Sequence, residues 1–403
     1  MDRIKILHLI THLGIGGAQD NTLLTVKGHS RARYEVHLAA GQDYTDWVAR
    51  GQTYADEFFV VPDLCRNGQL QSDLRALHQL TTLFKKQQYQ IVHTHSAKAG
   101  TLGRIAARRA KVPIIIHTYH SFGWQVANTV HPRPWQVCVA ALKKQSYTLI
   151  ERYAASVSDA LITVSELNRQ EALAIRLAAS KKFTNIYSGI DLSRFQVKAG
   201  SAELCAQLGL DPARPVIGTV GRLSTQKAPL DFVAAAKMVL AQKPDCQFLM
   251  VGDGPLAPAV RHAIAAEPRI KLSGYRDDIP EVLAALDVFV LSSLWEGLGR
   301  ALTEAMIMGV PVAATAVDGV PELVTHQQTG LLSPPGDPSQ LAMHIVWLLD
   351  NPADAQRMQQ AAKARVVPAF GAERMVEQIE ALYDRLLKAK ESPAQAYVPA
   401  LSH

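Results

Sequence analysis

Ser292-Ser293-Leu294-Trp295-Glu296-Gly297-Leu298-Gly299-Arg300-Ala301-Leu302-Thr303-Glu304-Ala305-Met306 is the stretch on which the fold turns. The apolar run Val288–Leu291 leads into it, and Gly309-Val310-Pro311-Val312 follows. An apolar run, a glycine loop, a helical period stopped by glycine and a second apolar run read as a strand–loop–helix–strand unit. Gly297 and Gly299 let backbone approach a ligand closely, and the helix N-terminus offers free N–H groups to an anion. Glu296 and Glu304 are acceptors suited to sugar hydroxyls and a second diol such as a ribose, and the helix dipole favours the charged form of the one near its start. Two glutamates flanking a helix are commonly plain surface carboxylates; the strand, glycine loop and helix around them make these site candidates.

The same alternation runs through the chain. Strands are predicted at Ile4–Ile10, Tyr34–Ala39, Glu57–Val61, Ile91–Thr94, Val112–Thr118, Ala160–Val164 and Phe183–Ile186. A second set is predicted at Val216–Val220, Gln247–Val251, Ile270–Leu272, Val288–Leu291, Val312–Ala314 and Gly330–Leu332. Helical stretches between them give an α/β protein of two doubly wound, Rossmann-like domains. Turn signals at Ser188-Gly189-Ile190-Asp191 and Asp211-Pro212-Ala213-Arg214-Pro215 place the break between Asn185 and Pro215. The expected domains are 1–190 and 191–370. A periodic helix Arg374–Lys388 follows, with Met375, Ile379, Leu382 and Leu386 on one face, and 391–403 is expected to be a flexible tail.

The chain has 403 residues, which suits two domains of roughly 200 residues each. Hydrophobic residues make up 48% and charged residues 19%, a globular balance and not that of a disordered chain. A net charge of +6 could favour an anionic partner, a phosphosugar, nucleotide or acidic membrane surface, or could be an ordinary slight excess. It lacks the dense basic stripe of a nucleic-acid binder. Cys65, Cys138, Cys205 and Cys246 lie far apart without metal-ligand spacing and read as reduced, mostly buried thiols of a cytoplasmic protein. No signal peptide precedes the first strand and no apolar run spans a bilayer, so any membrane contact is expected to be peripheral.

Four further features carry chemistry. Val216–Val220 runs into Gly221-Arg222-Leu223, with Lys227 further along the loop. Arg222 and Lys227 are placed to neutralise a diphosphate leaving group, standing in for a metal held by Asp-x-Asp, a pattern this chain lacks. The first strand ends in Thr11-His12-Leu13-Gly14-Ile15-Gly16-Gly17-Ala18-Gln19, which resembles a phosphate-approaching loop but misses the third glycine of the dinucleotide fingerprint. His93, His95, His117 and His120 are expected together at the C-terminal edge of the first sheet; substrate contact by His120 is favoured over a zinc site, since no short Cys or carboxylate ligand accompanies them. Trp124–Tyr153, with Arg133, Lys143, Lys144 and Arg152, reads as an ordinary packed helix before an amphipathic surface for a lipid-linked acceptor.

The blocks His93–Gly100, His117–His120, Ile162–Ser165, Asn185–Asp191, Gly221–Leu223, Val251–Pro255 and Glu296–Glu304, in that order, resemble the family 4 retaining glycosyltransferases of GT-B fold. The resemblance runs from Gly16-Gly17 to about Pro335. It implies that Arg222 and Lys227, beside Gly221, bind the donor diphosphate. Glu296, Gly297 and the backbone near Leu298 and Gly299 would contact the transferred sugar, and Glu304 the ribose. Gly16 and Gly17 would let the first loop near phosphates and acceptor, and His120 would lie beside the reacting sugar. The helix at about 372–390 would pack back on the N-terminal domain. Departures are Ala228-Pro229 after Lys227, Gln19 in place of a common Glu, and Arg300 where a small or apolar residue is usual.

The activity implied is metal-independent transfer of a sugar, with retention, from a nucleotide-diphosphate sugar to a hydroxyl on a sugar, lipid-linked or small-molecule acceptor, without a cofactor. Cell-surface polysaccharide or glycolipid synthesis is the setting it suggests. A nucleotide-sugar 2-epimerase of the same fold, or a non-catalytic nucleotide-sugar-binding subunit, are the competing readings.

Overall fold

The computed structural model describes residues 3–42, 46–65, 69–122, 134–196 and 202–391. Thirteen strands occur among them: β1 (Ile4–Ile10), β2 (Tyr34–Gly41), β3 (Glu57–Val61), β4 (Ile91–His95), β5 (Ile114–Tyr119), β6 (Ala160–Thr163), β7 (Phe183–Asn185), β8 (Val216–Val220), β9 (Gln247–Val251), β10 (Ile270–Gly274), β11 (Val288–Leu291), β12 (Val312–Thr315) and β13 (Leu331–Ser333). The first seven form one sheet in the order β3-β2-β1-β4-β5-β6-β7, and the other six a second in the order β10-β9-β8-β11-β12-β13. The ladders are parallel. Strands β4, β5, β11 and β12 are buried along their whole length, because helices cover both faces of a parallel sheet.

In each sheet the winding reverses once, between β1 and β4 and between β8 and β11. Neighbouring crossovers leave on opposite faces there, and a crevice opens beyond the strand ends. The two lobes therefore each bring a natural ligand edge to the structure.

Alternation along the strands of the first sheet builds two separate cores. Ile6, Ile10, Ile91, Ile114 and Ile116 pack on one face with Met375, Val376, Ile379, Leu382 and Tyr383. Leu7, Leu9, Val92 and Ile115 pack on the other with Leu77, Leu80 and Phe84. The first of these cores is completed by the C-terminal helix Ala372–Glu391, which runs longer than the predicted Arg374–Lys388. Glu391, expected in the tail, ends that helix, and the rest of the tail lies outside the described residues.

The chain passes between lobes twice at one place. Ile190 N–H donates to Phe370 O at 2.8 Å, and Ala372 N–H to Ile190 O at 2.9 Å, forming a one-residue parallel bridge with Gly371. Among the described cysteines, Cys205 and Cys246 are buried thiols and Cys65 is exposed; the Cys138 side chain lies outside the described residues. No helix among the described residues is long and apolar enough to cross a membrane.

Candidate active site

The reversal in the second sheet gathers the residues that follow β8 and β11. Thr219, Gly221, Arg222, Lys227, Ser292 and Ser293 line one pocket. Arg222 is exposed, whereas Lys227 sits in a 3-10 turn, Thr225–Lys227, partly covered. The Lys227 ammonium is paired with the Glu296 carboxylate, so the cation and the acceptor predicted to meet different parts of a donor meet each other here. Ser293 Oγ donates to the same Glu296 oxygen at 2.6 Å, and the Glu296 N–H donates to Asp318 Oδ2 at 2.6 Å. Glu296 is buried, with Lys227 and Ser293 holding its carboxylate and Asp318 holding its backbone.

Gly299 precedes the helix Arg300–Met308 with φ 93°, a left-handed conformation that disfavours a side chain, and no side chain caps the helix. Its first-turn amides thus remain available to an anion. Gly297 is required for a different reason. A Cβ there would lie 2.0 Å from the backbone carbonyl of His120, so the two lobes touch at this glycine. That contact brings His120, after β5, against the loop that carries Glu296.

Arg300 links the lobes a second time. Its guanidinium donates from Nε to Glu304 Oε1 at 2.9 Å and from Nη1 to Gly189 O at 3.0 Å, and pairs with Asp20 of the first helix, Gly17–Gly28. Burial pushes the Glu304 carboxyl up, and the charge of Arg300 works against that push. A Cβ on Gly17 would lie 3.5 Å from Arg300 Cδ, an ordinary contact, so the first loop reaches the same cleft without needing a glycine there. Gly16 is extended, and Gln19 Nε2 lies 3.3 Å from His12 Nε2.

The expected histidine cluster is only half correct. His95 ends β4 and His120 follows β5, both at the predicted edge. His93 and His117 lie inside their strands. His93 bonds Tyr383 Oη at 2.6 Å and Thr118 Oγ1 at 2.7 Å, and His117 faces the opposite layer, bonded to Thr94 Oγ1 at 2.9 Å. Alternation along a strand separates the two, which spacing to the strand end does not reveal. Ring nitrogens of His8, His93 and His95 lie within 4.8 Å of one another. The His93 and His95 rings are stacked with centroids 4.4 Å apart, with Tyr383 and Thr118 on the nitrogens of His93 and His8 and His120 on those of His95.

Sequence reasoning missed Asp318, Asp20, Ser293 and Glu322. Glu322 accepts the N–H groups of Glu166 and Leu167, at 3.0 and 2.6 Å, and the Tyr187 hydroxyl at 3.1 Å, so a second-lobe carboxylate caps a first-lobe helix. Asp318-Gly319 followed by Pro321-Glu322 was a legible turn and helix start after β12. The stretch 124–133 and the side chains of Lys143 and Lys144 lie outside the described residues. In the part of that helix that is described, Leu149, Ile150 and Tyr153 are exposed, Arg152 bonds Ile175 O, and Glu151 is buried against Arg104 and Tyr119.

The sequence matches two family descriptions, Glycosyl transferase 4-like domain over residues 16–183 and Glycosyl transferases group 1 over residues 214–351. It is 32% identical over 397 residues to UDP-Gal:alpha-D-GlcNAc-diphosphoundecaprenol alpha-1,3-galactosyltransferase of Escherichia coli, covering 94% of this chain and 97% of that one. Among solved structures, sucrose-phosphate synthase from Thermosynechococcus elongatus superposes with a TM-score of 0.80 at 22% identity, over 96% of this chain and 100% of the other. HepE of Anabaena, in complex with UDP-glucose, superposes with a TM-score of 0.77 at 22% identity, over 95% and 100%. These likenesses identify the two-sheet architecture as GT-B, and the named relatives favour sugar transfer over epimerisation. With that identity sustained over nearly its whole length, the chain belongs to the family 4, group 1 glycosyltransferases.

Proposed function

We propose that this glycosyltransferase moves a sugar, with retention, from a UDP-sugar to a hydroxyl of a lipid-diphosphate-linked sugar during assembly of a cell-surface glycan. The observation that carries the reading is the Lys227–Glu296–Ser293 cluster at the switch point of the second sheet, with Arg222 at its mouth. A donor diphosphate competes for Lys227, which frees Glu296 to accept a hydroxyl of the transferred sugar. Arg222 and Lys227 stabilise the leaving diphosphate by charge alone. Glu304, with Arg300, faces the nucleoside, and the amides from Gly297 to Gly299 approach the sugar, with His120 beside it. No carboxylate is assigned as a nucleophile on the far face. The leaving phosphate takes the acceptor proton as the new bond forms, and the protein contributes positioning. No metal is needed in this scheme.

The Escherichia coli relative, named for a UDP-galactose donor and an undecaprenyl-diphosphate acceptor, supports the choice of substrates. The exposed Leu149, Ile150 and Tyr153, at helical spacing on one face, supply a surface for the lipid at the membrane interface. The test is a panel of UDP-, GDP- and ADP-sugars with a prenyl-diphosphate-linked GlcNAc acceptor. The expected result is transfer from one UDP-sugar, α-linked product, and a rate unchanged by EDTA. Glu296→Ala and Arg222→Ala should abolish transfer while leaving the fold intact. Near-normal turnover in either variant, or a β-linked product, overturns the assignment.

A further inference from the structure

Four imidazoles join the cleft to the C-terminal helix by an unbroken series of ring-nitrogen contacts. His120 Nε2 lies 3.2 Å from His95 Nδ1. His95 Nε2 lies 3.0 Å from His8 Nδ1, and His8 Nε2 lies 3.0 Å from His29 Nε2. His29 Nδ1 lies 3.1 Å from Glu380 Oε1. The residues come from β1, the end of the first helix, β4, the loop after β5, and the C-terminal helix, so only the folded lobe assembles them.

The order of donors along this series is forced from one end. An ionised carboxylate only accepts, and a neutral imidazole has one donor and one acceptor nitrogen. With Glu380 accepting, His29 carries its proton on Nδ1 and offers the Nε2 lone pair. His8 must then donate from Nε2 and accept at Nδ1. His95 donates from Nε2 in turn and accepts at Nδ1, so His120 donates from Nε2. The last free position is the Nδ1 lone pair of His120, which has no hydrogen-bond partner among the described residues.

The surroundings keep each member in the state this requires. His8, His29 and His95 are buried, and burial depresses their basicity, so they stay neutral. Burial also lowers His120, to about 4. For Glu380, burial acts upward, but the hydrogen bonds from His29 and from the Ser30 N–H outweigh it and hold the carboxyl below its usual range. His93 stacks on the series without entering it, since its nitrogens bond Tyr383 and Thr118.

We propose that this series is a tautomer relay in which Glu380, four hydrogen bonds away, fixes His120 as the Nε2–H form and so presents the Nδ1 lone pair to a hydroxyl of the bound sugar. Glu380, His29, His8 and His95 are positioning residues for transfer. The role rests on the reading that places His120 beside the sugar. No net proton transfer is required, because the relay acts by fixing which nitrogen bears each proton.

The test is nitrogen-15 NMR of the full-length protein labelled at histidine, with the His120 signals assigned by their disappearance in His120→Asn. In the unliganded wild type, His120 should show an unprotonated Nδ1 and a protonated Nε2. Glu380→Ala should convert His120 to a mixture of tautomers and lower kcat about tenfold, the rate equivalent of one neutral hydrogen bond. Glu380→Gln, whose amide oxygen still accepts from His29, should keep both the single tautomer and the rate. His8→Phe breaks the series in the middle and should reproduce Glu380→Ala; if it does not fold, the two Glu380 variants decide alone. A protonated Nδ1 on His120 in the wild type, or identical His120 signals in wild type and Glu380→Ala, overturns the relay. A His120 Nδ1 signal that does not move on saturation with UDP-sugar overturns the placement beside the sugar, and with it the positioning role, independently of the tautomer result.

Discussion

Arg300 and Asp20 form an ion pair across the cleft, joining the helix that follows the donor loop to the first helix of the other lobe. Both side chains are largely shielded, at 19% and 12% exposure, so the pair is screened less than a surface bridge. Arg300→Ala and Asp20→Ala should each raise the donor KM and expand the protein in solution scattering. The double variant should be no worse than either single one, leaving a coupling of about 0.5–3 kcal/mol in kcat/KM. Additive effects would show that the lobes are not coupled through this contact.

Gly297 meets a backbone atom, so no side-chain rotation can make room at it. Gly297→Ala should lower transfer by about a hundredfold, the scale expected when a catalytic loop is displaced by roughly an ångström. Trimming the His120 side chain should not rescue it, because the clash is with the His120 carbonyl. Steady-state kinetics of the single and double variants check this, and a rescue would refute it.

Asp318 holds the Glu296 backbone, and burial raises its carboxyl from 3.8 to about 6. A group whose pKa rises on folding binds more protons when folded, so its contribution falls as pH climbs from about 4 to about 6. Asp318→Asn can still accept the Glu296 N–H and removes that loss. Above pH 6 it should gain about 1 kcal/mol after allowance for solvent screening, or roughly 2–4 °C in Tm. Below pH 4 the gain should vanish. Thermal melts across this range are the check, and a pH-independent difference would refute the assignment.

Arg104 and Glu151 are fully buried against each other, and the Tyr119 hydroxyl donates to the same carboxylate at 2.7 Å. Arg104→Met leaves a buried carboxylate without its cation and should cost about 3–5 kcal/mol. Arg104→Met with Glu151→Leu should recover most of that loss. Urea denaturation of the two proteins measures it; equal losses in both would show that packing, and not charge, dominates.

The strand pattern was legible because parallel strands buried on both faces read as continuous apolar runs. β1, β8, β9 and β11 begin and end where those runs do. Gly309, at φ 75°, ends its helix as its position in the sequence suggested. The polar contacts were not legible in the same way. His93 and His95 differ by two positions, yet one bonds Tyr383, 290 residues later, and the other bonds His8 and His120. Lys227 and Glu296 stood out separately, but their direct pairing depends on the spacing between β8 and β11, which no local pattern encodes. Arg300 stood out only as a departure from the family pattern; its partner Asp20 lies in the other lobe.

The helix Ala372–Glu391 gives the chain a particular order of maturation. Asn21 and Met375 meet across 354 residues, and Tyr383 closes over β4. During synthesis the first sheet therefore emerges with one apolar face bare, and the second lobe must be made before its cover arrives. Contacts of such separation are formed late and slowly. The second lobe, whose strands β8 to β13 lie within one continuous segment, can fold while the first still waits. Chains that lack residues 372–391 would then carry a finished donor lobe beside an exposed apolar surface, the intermediate most in need of a chaperone.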